Sequence, residues 1–207
     1  ALESGAARLT VVQRYEIEKG LKQIKRKKKT SSGVPEDKIL SFDEIRRFIA
    51  GCPEKKISLI FEALAYSGLR ISEALNILLR DLQDHGNYFS IRILGKGNRE
   101  RFVLLDRYLV ERAKACFCGT LYLFESPSGR SYRREYVSMR IKRLGRKILM
   151  REISAHTLRH SWATYVLKKT GRIGAVQQQL GHASSSTTLN LYVHDSFSWK
   201  DQQEIFR

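Results

Sequence analysis

The apolar residues of this chain change period twice, and that change limits the folds open to it. Between Ser41 and Leu79 they recur at helical spacing, and between Tyr88 and Leu105 they alternate with polar residues. From Val137 onward the helical spacing returns. Ser41-x-x-Glu44 is a capping box ahead of Phe42, Ile45, Phe48 and Ile49, so a helix starts there. A second helix covers 57–67 and stops at Gly68, and a third, over 70–79, places Ile71, Ala74, Leu75 and Leu78 on one face. Phe89, Ile91 and Ile93 alternate with Ser90 and Arg92, and Arg101–Leu105 is rich in strand formers after Gly95-Lys96-Gly97-Asn98. This predicts a hairpin with Lys96 at its turn, with a third short strand near Leu121–Phe124. Val137, Ile141, Leu144 and Ile148 make a further helical stripe, followed by helices over 155–169, 173–180 and 186–194. The predicted fold is α+β and mainly α, a helical domain carrying a small antiparallel sheet.

Upstream, residues 9–28 read as a basic helix, and Thr30-Ser31-Ser32-Gly33-Val34-Pro35 as a linker. The expected division is therefore 1–38, then a domain over 39–207. The chain's 38 Lys and Arg against 21 Asp and Glu give a net charge of +17, and the excess is clustered. Lys25, Arg26, Lys27, Lys28 and Lys29 form one run. Arg133, Arg134, Arg140 and Arg143 belong to a second, over 130–151, whose only acid is Glu135. Such clusters suit a polyanion, because neutralising phosphates releases condensed counterions. No apolar run reaches the ~20 residues that span a bilayer, so no membrane partner is expected. No signal-peptide pattern opens the chain, and the missing initiator Met suggests a fragment or processed product. Cys52, Cys116 and Cys118 supply no disulfide framework, and Cys116-x-Cys118 lacks the spacing of a zinc site. A reducing, cytoplasmic setting is the expectation.

The chemistry lies in five short motifs. Attack on a phosphodiester needs an in-line nucleophile, a proton for the leaving oxygen, and neutralisation of the non-bridging oxygens by metals or fixed cations. No tight carboxylate cluster accompanies the motifs, so neither a metal nor a cofactor is expected, and cations are what the chain offers. Arg70, in SGLRISEAL, follows the helix stop at Gly68; its rigid fork matches two phosphate oxygens, and Glu73 one turn on can hold it. His156 and Arg159, in SAHTLRHSWAT, project from one helix face. His156-x-x-x-His160 has the spacing of a zinc pair, but Thr157 stands where that motif has Glu and no third ligand is evident. His160 therefore reads as a packing or supporting residue. Lys96, with Asn98, Arg99 and Arg101 in GKGNRER, suits phosphate contact in a groove. His182, in LGHASSSTT, follows a glycine helix cap, and Tyr192, in LNLYVH, offers a hydroxyl. A tyrosine titrates near pH 10 (roughly) when unperturbed, and two arginines beside it favour the phenolate nucleophile. Tyr165, mid-helix, reads as core. Taken alone, each of these groups is more often a solvated surface residue; their order and spacing are the signal.

The set resembles the catalytic domain of the tyrosine recombinases, the integrase family of site-specific DNA recombinases, over roughly residues 39–194. TTLNLYVH is similar to the form found in conjugative-transposon and phage integrases. The resemblance implies a catalytic set of Arg70, Lys96, His156, Arg159, His182 and Tyr192, with Glu73 in support and Lys96 as general acid. It implies a 3′-phosphotyrosyl intermediate formed without metal, ATP or cofactor on double-stranded DNA bearing specific recombination sites. A homotetramer passing through a Holliday junction is implied as well, near the nucleoid of a bacterial, archaeal or mobile-element host. Residues 9–28 would be the last helix of a core-binding domain. The tail 196–207, with Phe197, Trp199, Ile205 and Phe206, would dock on a neighbouring protomer; folding back on its own domain is the simpler alternative. Two other functions fit parts of the chain. One is a helix-turn-helix regulator built on 173–194, and the other a type IB topoisomerase using the same chemistry.

Overall fold

A computed structural model describes residues 39–94 and 100–181. Helix α1 (Phe42–Ala50) begins at the expected capping box: Ser41 Oγ accepts the Glu44 N–H at 3.2 Å and the Glu44 carboxylate accepts the Ser41 N–H at 2.8 Å. Helix α2 (Lys55–Ser67) is buried along most of its length through Ile57, Leu59, Ile60, Phe61 and Leu64. It packs against α1, against α4 (Arg107–Phe117), against α6 (Ala155–Thr170) and against the sheet. An all-round apolar helix is stable only at the centre of a fold, which is where α2 lies.

The sheet has three antiparallel strands in the order β1 (Leu82–Asp84), β2 (Tyr88–Leu94), β3 (Glu100–Asp106). Ile91 pairs with Val103 and with Leu82. Its inner face carries Phe89, Ile91, Ile93, Val103 and Leu105 into the main core. Helix α5 (Arg134–Leu149) buries Val137, Ile141 and Leu144, the predicted stripe. A second, smaller core of Trp162, Val166, Ala175, Val176 and Leu180 joins α6 to α7 (Ile173–Leu180).

Three sequence expectations need correction. The helix predicted over 70–79 is only five residues long, α3 (Ile71–Leu75). The Asn76 amide turns back to the Ser72 carbonyl at 2.8 Å and ends it. Ile77–Leu79 then extends to pair with 121–123, through Leu123 N–H to Ile77 O (2.9 Å) and Leu79 N–H to Leu121 O (3.0 Å). Leu121–Phe124 consequently forms a single bridge, Leu78 with Tyr122, and the third strand of the sheet is Leu82–Asp84. Helix α4 was not foreseen; Asp106 caps it by accepting the Leu109 N–H at 3.1 Å, and Leu109, Val110, Ala113 and Phe117 form its buried face. Tyr165, expected in the core, is partly buried against the smaller core and stacked on Phe42 at 5.5 Å. The helices predicted over 9–28 and 186–194, the hairpin turn, and the division near 30–38 lie outside the described residues. Among the described residues no helix is long and apolar enough to cross a membrane.

The turn between α2 and α3 fixes the position of Arg70. Gly68 caps α2 in the left-handed region (φ +67°), and a Cβ there would meet the Trp162 ring at 2.5 Å. Glycine is required twice over, once for its backbone and once for the ring that fills its side-chain space. Gly68→Ala is expected to destabilise the domain by at least about 2 kcal/mol, from left-handed strain plus overpacking. A lowered urea midpoint with an unchanged slope is the expected result; an unchanged midpoint would contradict this packing.

Candidate active site

Four charged side chains meet behind that turn, two from the start of α3 and one each from β3 and α6. Glu73, on α3, accepts the Arg70 N–H at 2.8 Å through Oε2 and the Arg70 guanidinium at 2.8 Å through Oε1. Arg101, on β3, donates to Glu73 Oε2 at 2.7 Å, and Arg159, on α6, lies 3.9 Å from the same oxygen. Three guanidiniums thus surround one carboxylate. Burial pushes the Glu73 carboxyl up, but the hydrogen bonds from Arg101 and Arg70 outweigh it and hold the group below its ordinary range.

The same arginines also bind the ends of helices. Arg159 donates to the Gly68 carbonyl at 2.6 Å and to the Leu180 carbonyl, at the C-termini of α2 and α7. Arg101 Nε donates to the Gln179 carbonyl at 2.8 Å, and Arg70 reaches the Gly181 carbonyl at 3.4 Å. Cations at helix C-termini meet both unpaired carbonyls and the negative end of the dipole. Gln179, itself buried, closes the arrangement by donating to the Ser67 carbonyl at 3.3 Å.

Only part of this cluster faces outward. The Arg70 side chain is 42% exposed, whereas Arg159 is 3% exposed at the floor of the site. Desolvation, then the neighbouring Arg70, lowers the Arg159 pKa to about 10, so it remains charged at neutral pH. Arg70, Arg159, His156, Arg134, Ser72 and Ser154 line a cavity of about 270 Å³. His156 is exposed at its rim, with the His160 ring edge-on at 4.5 Å. The structure therefore brings Arg70, Glu73, His156, His160 and Arg159 together. Lys96, Arg99, His182, Tyr192, Lys25, Arg26, Lys27, Lys28, Lys29 and the tail 196–207 lie outside the described residues. Among the described residues no three His, Cys, Asp or Glu side chains group closely enough to hold a metal.

The expected DNA-contacting arginines divide into two groups. Arg133, Arg134 and Arg143 are exposed at the start and along the outer face of α5. There Ser138, Met139, Lys142, Arg143, Arg146 and Lys147 border an open hollow of about 700 Å³. The expectation for Arg101 is corrected. It is 5% exposed, because strand alternation puts it on the same face as Val103 and Leu105. That alternation is visible in the sequence, and a charge on a core face needs a partner, here Glu73. Arg140 is largely covered too and pairs with Glu54. The nearness of Arg134 to Arg70 has no sequence signal, since it depends on how α5 packs beside α3.

Residues 38–198 match the model of the phage integrase family, and the chain belongs to that family. It is 30% identical over 178 residues to the tyrosine recombinase XerH of Campylobacter jejuni subsp. jejuni serotype O:2, covering 79% of this chain and 50% of that protein. It is 32% identical over 176 residues to the tyrosine recombinase XerC of Vibrio atlanticus, covering 79% and 56%. The chain thus spans about half the length of the curated relatives it matches. Its fold is similar to that of the XerH site-specific recombinase solved on difH substrate in a pre-cleavage complex. That match has a TM-score of 0.65 and 26% identity, covering 84% of this chain and 55% of the other.

The carboxylate's role has a pH signature. A carboxyl depressed in the folded state adds stability above its unfolded pKa and loses it as pH falls through the lower, folded value. Glu73→Gln should therefore cost about 3 kcal/mol near neutral pH, where it leaves buried guanidiniums without their anion. The gap from wild type should shrink as pH drops below roughly 4.5. Unfolding measured across that range checks this; a gap independent of pH would mean that Glu73 acts through packing alone.

Proposed function

We propose that the chain is a site-specific DNA recombinase that cleaves and rejoins strands through Tyr192. The observation that supports this most directly is the cavity where an exposed and a buried guanidinium, Arg70 and Arg159, meet beside His156. Fixed cations of this kind stabilise charge on a phosphate under attack, at no reorganisation cost when the reaction occurs. Tyr192 loses its proton to solvent, the phenolate oxygen attacks the scissile phosphorus, and a new P–O bond forms as the bond to the 5′ oxygen breaks. Lys96 supplies the proton to that departing oxygen, and His156 and His182 share the non-bridging oxygens with the two arginines. In the second step a 5′ hydroxyl gives its proton back to Lys96, attacks the 3′-phosphotyrosyl, reforms the phosphodiester and releases the Tyr192 phenolate. One phosphodiester is exchanged for another, so neither ATP nor a metal is consumed.

The partner in this reading is double-stranded DNA bearing recombination sites, gripped by Arg133, Arg134 and Arg143 on α5 and by the basic run 25–29. Four protomers act on two sites, with the tail 196–207 docking on a neighbour, in the DNA-containing compartment of the host. A helix-turn-helix regulator gives no reason for three guanidiniums to converge on Glu73.

Covalent capture tests the proposal. Nicked duplexes from a randomised pool should become linked to the wild-type chain in denaturant-resistant form, in excess chelator as readily as without it. Tyr192→Phe should bind the captured duplex within a few-fold of wild type and form no adduct. An adduct on the Phe variant would assign the attack elsewhere. Loss of the adduct in chelator, restored by magnesium, would overturn the cation-only mechanism.

A further inference from the structure

Of the three guanidiniums around Glu73, Arg101 is the one that the strand-transfer scheme does not use, and its surroundings are unusual for a residue that only stabilises the fold. It is 5% exposed on the core-facing side of β3, between Ile93 across the sheet and Val103 beyond it. It donates at 2.7 Å to the Glu73 oxygen that also accepts the Arg70 N–H. Its Nε holds the Gln179 carbonyl at 2.8 Å. Its remaining amino group, Nη1, is buried and has no hydrogen-bond partner among the described residues. Gly181 (φ +62°) leaves room for this guanidinium, since a Cβ there would stand 3.0 Å from Nη1. Burying a charge with one donor unsatisfied is an expensive way to fill a core position, where an apolar side chain of similar volume serves stability as well or better. The contacts instead tie three separate elements to one point: β3, the start of α3, and the end of α7.

We propose that Arg101 is a positioning residue of the strand-transfer site, holding Glu73 so that Glu73 fixes the Arg70 guanidinium at the phosphate cavity. It also pins the last turn of α7, from which the chain runs directly into His182. This role rests on the function proposed above. Arg101 itself touches no substrate. The groups facing Glu73 are Arg70 from its own helix start, Arg101 from β3 and Arg159 from α6. Removing Arg101 leaves the carboxylate buried with less to keep it ionised, so it takes up a proton nearer neutral pH and releases its grip on Arg70.

The test uses the full chain and a nicked duplex captured covalently by the wild type from a randomised pool. Arg101→Met should lower the rate of adduct formation about 10²-fold at saturating duplex, as a misplaced catalytic group does, with the Kd for that duplex within about threefold. The wild-type to variant rate ratio should widen further as pH is lowered from about 8 to about 6, and adding Glu73→Gln should abolish the widening. A simple loss of packing would leave the ratio independent of pH. Should Arg101→Met not fold, Arg101→Lys carries the test: one ammonium cannot serve Glu73 and the Gln179 carbonyl together, and about a tenfold slower adduct at unchanged Kd is expected. Wild-type rates in the variants, or a defect confined to Kd, would overturn the role of Arg101 alone. If the wild type captures no duplex, the strand-transfer function fails and this role with it.

Discussion

The Glu73 carboxylate takes hydrogen bonds from Arg70 and Arg101 and sits 3.9 Å from Arg159. Without that one anion, three guanidiniums could not be held so close. Like charges at such separations repel strongly in a partly dry environment, and the repulsion would push the exposed one, Arg70, outward. With the anion present, the cluster keeps a net positive charge and each guanidinium has a defined direction. The main-chain contacts extend this order. The ends of α2 and α7 are held by Arg159, Arg101 and Arg70 through the carbonyls of Gly68, Leu180, Gln179 and Gly181. Separate elements are thereby referred to one carboxylate.

This arrangement divides the work among the arginines. Arg159 is committed to backbone carbonyls and lies on the cavity floor, so its charge acts as a fixed field. Arg70 is anchored at one side by Glu73 and 42% exposed, and in the proposed reaction it is the one that meets the phosphate oxygen directly. Preorganised charges of this kind are effective because they are already oriented before the reaction begins. The low-dielectric floor strengthens them further, and the lowered pKa of Arg159, about 10, reflects that desolvation.

The sequence showed much of this because local chemistry reports local structure. The capping box at Ser41 and Glu44, the stop at Gly68, the stripe of α5 and the pairing of Arg70 with Glu73 all depend on residues within about one helical turn. The errors arose where distant chain decided the outcome. Ile77–Leu79 left its helix to pair with 121–123, more than forty residues on, which no local period encodes. Arg101 was assigned to the surface from its neighbours in a basic motif, although strand alternation already placed it inward with Val103. Composition pointed to DNA, and periodicity showed which face would carry the charge. Where those two signals conflicted, periodicity was right. Arg134 beside Arg70 illustrates the remaining limit, a contact set purely by how two helices pack.

In the proposed reaction the arginine cluster acts on the transition state and not mainly in holding DNA. Arg70→Ala separates these directly, through the rate of adduct formation at saturating duplex and the Kd for the same duplex. The expected rate is lower by about 10²–10³, as when a preorganised donor to developing charge is removed, with Kd changed only a few-fold. A large rise in Kd with the saturated rate intact would contradict it and make Arg70 a binding residue.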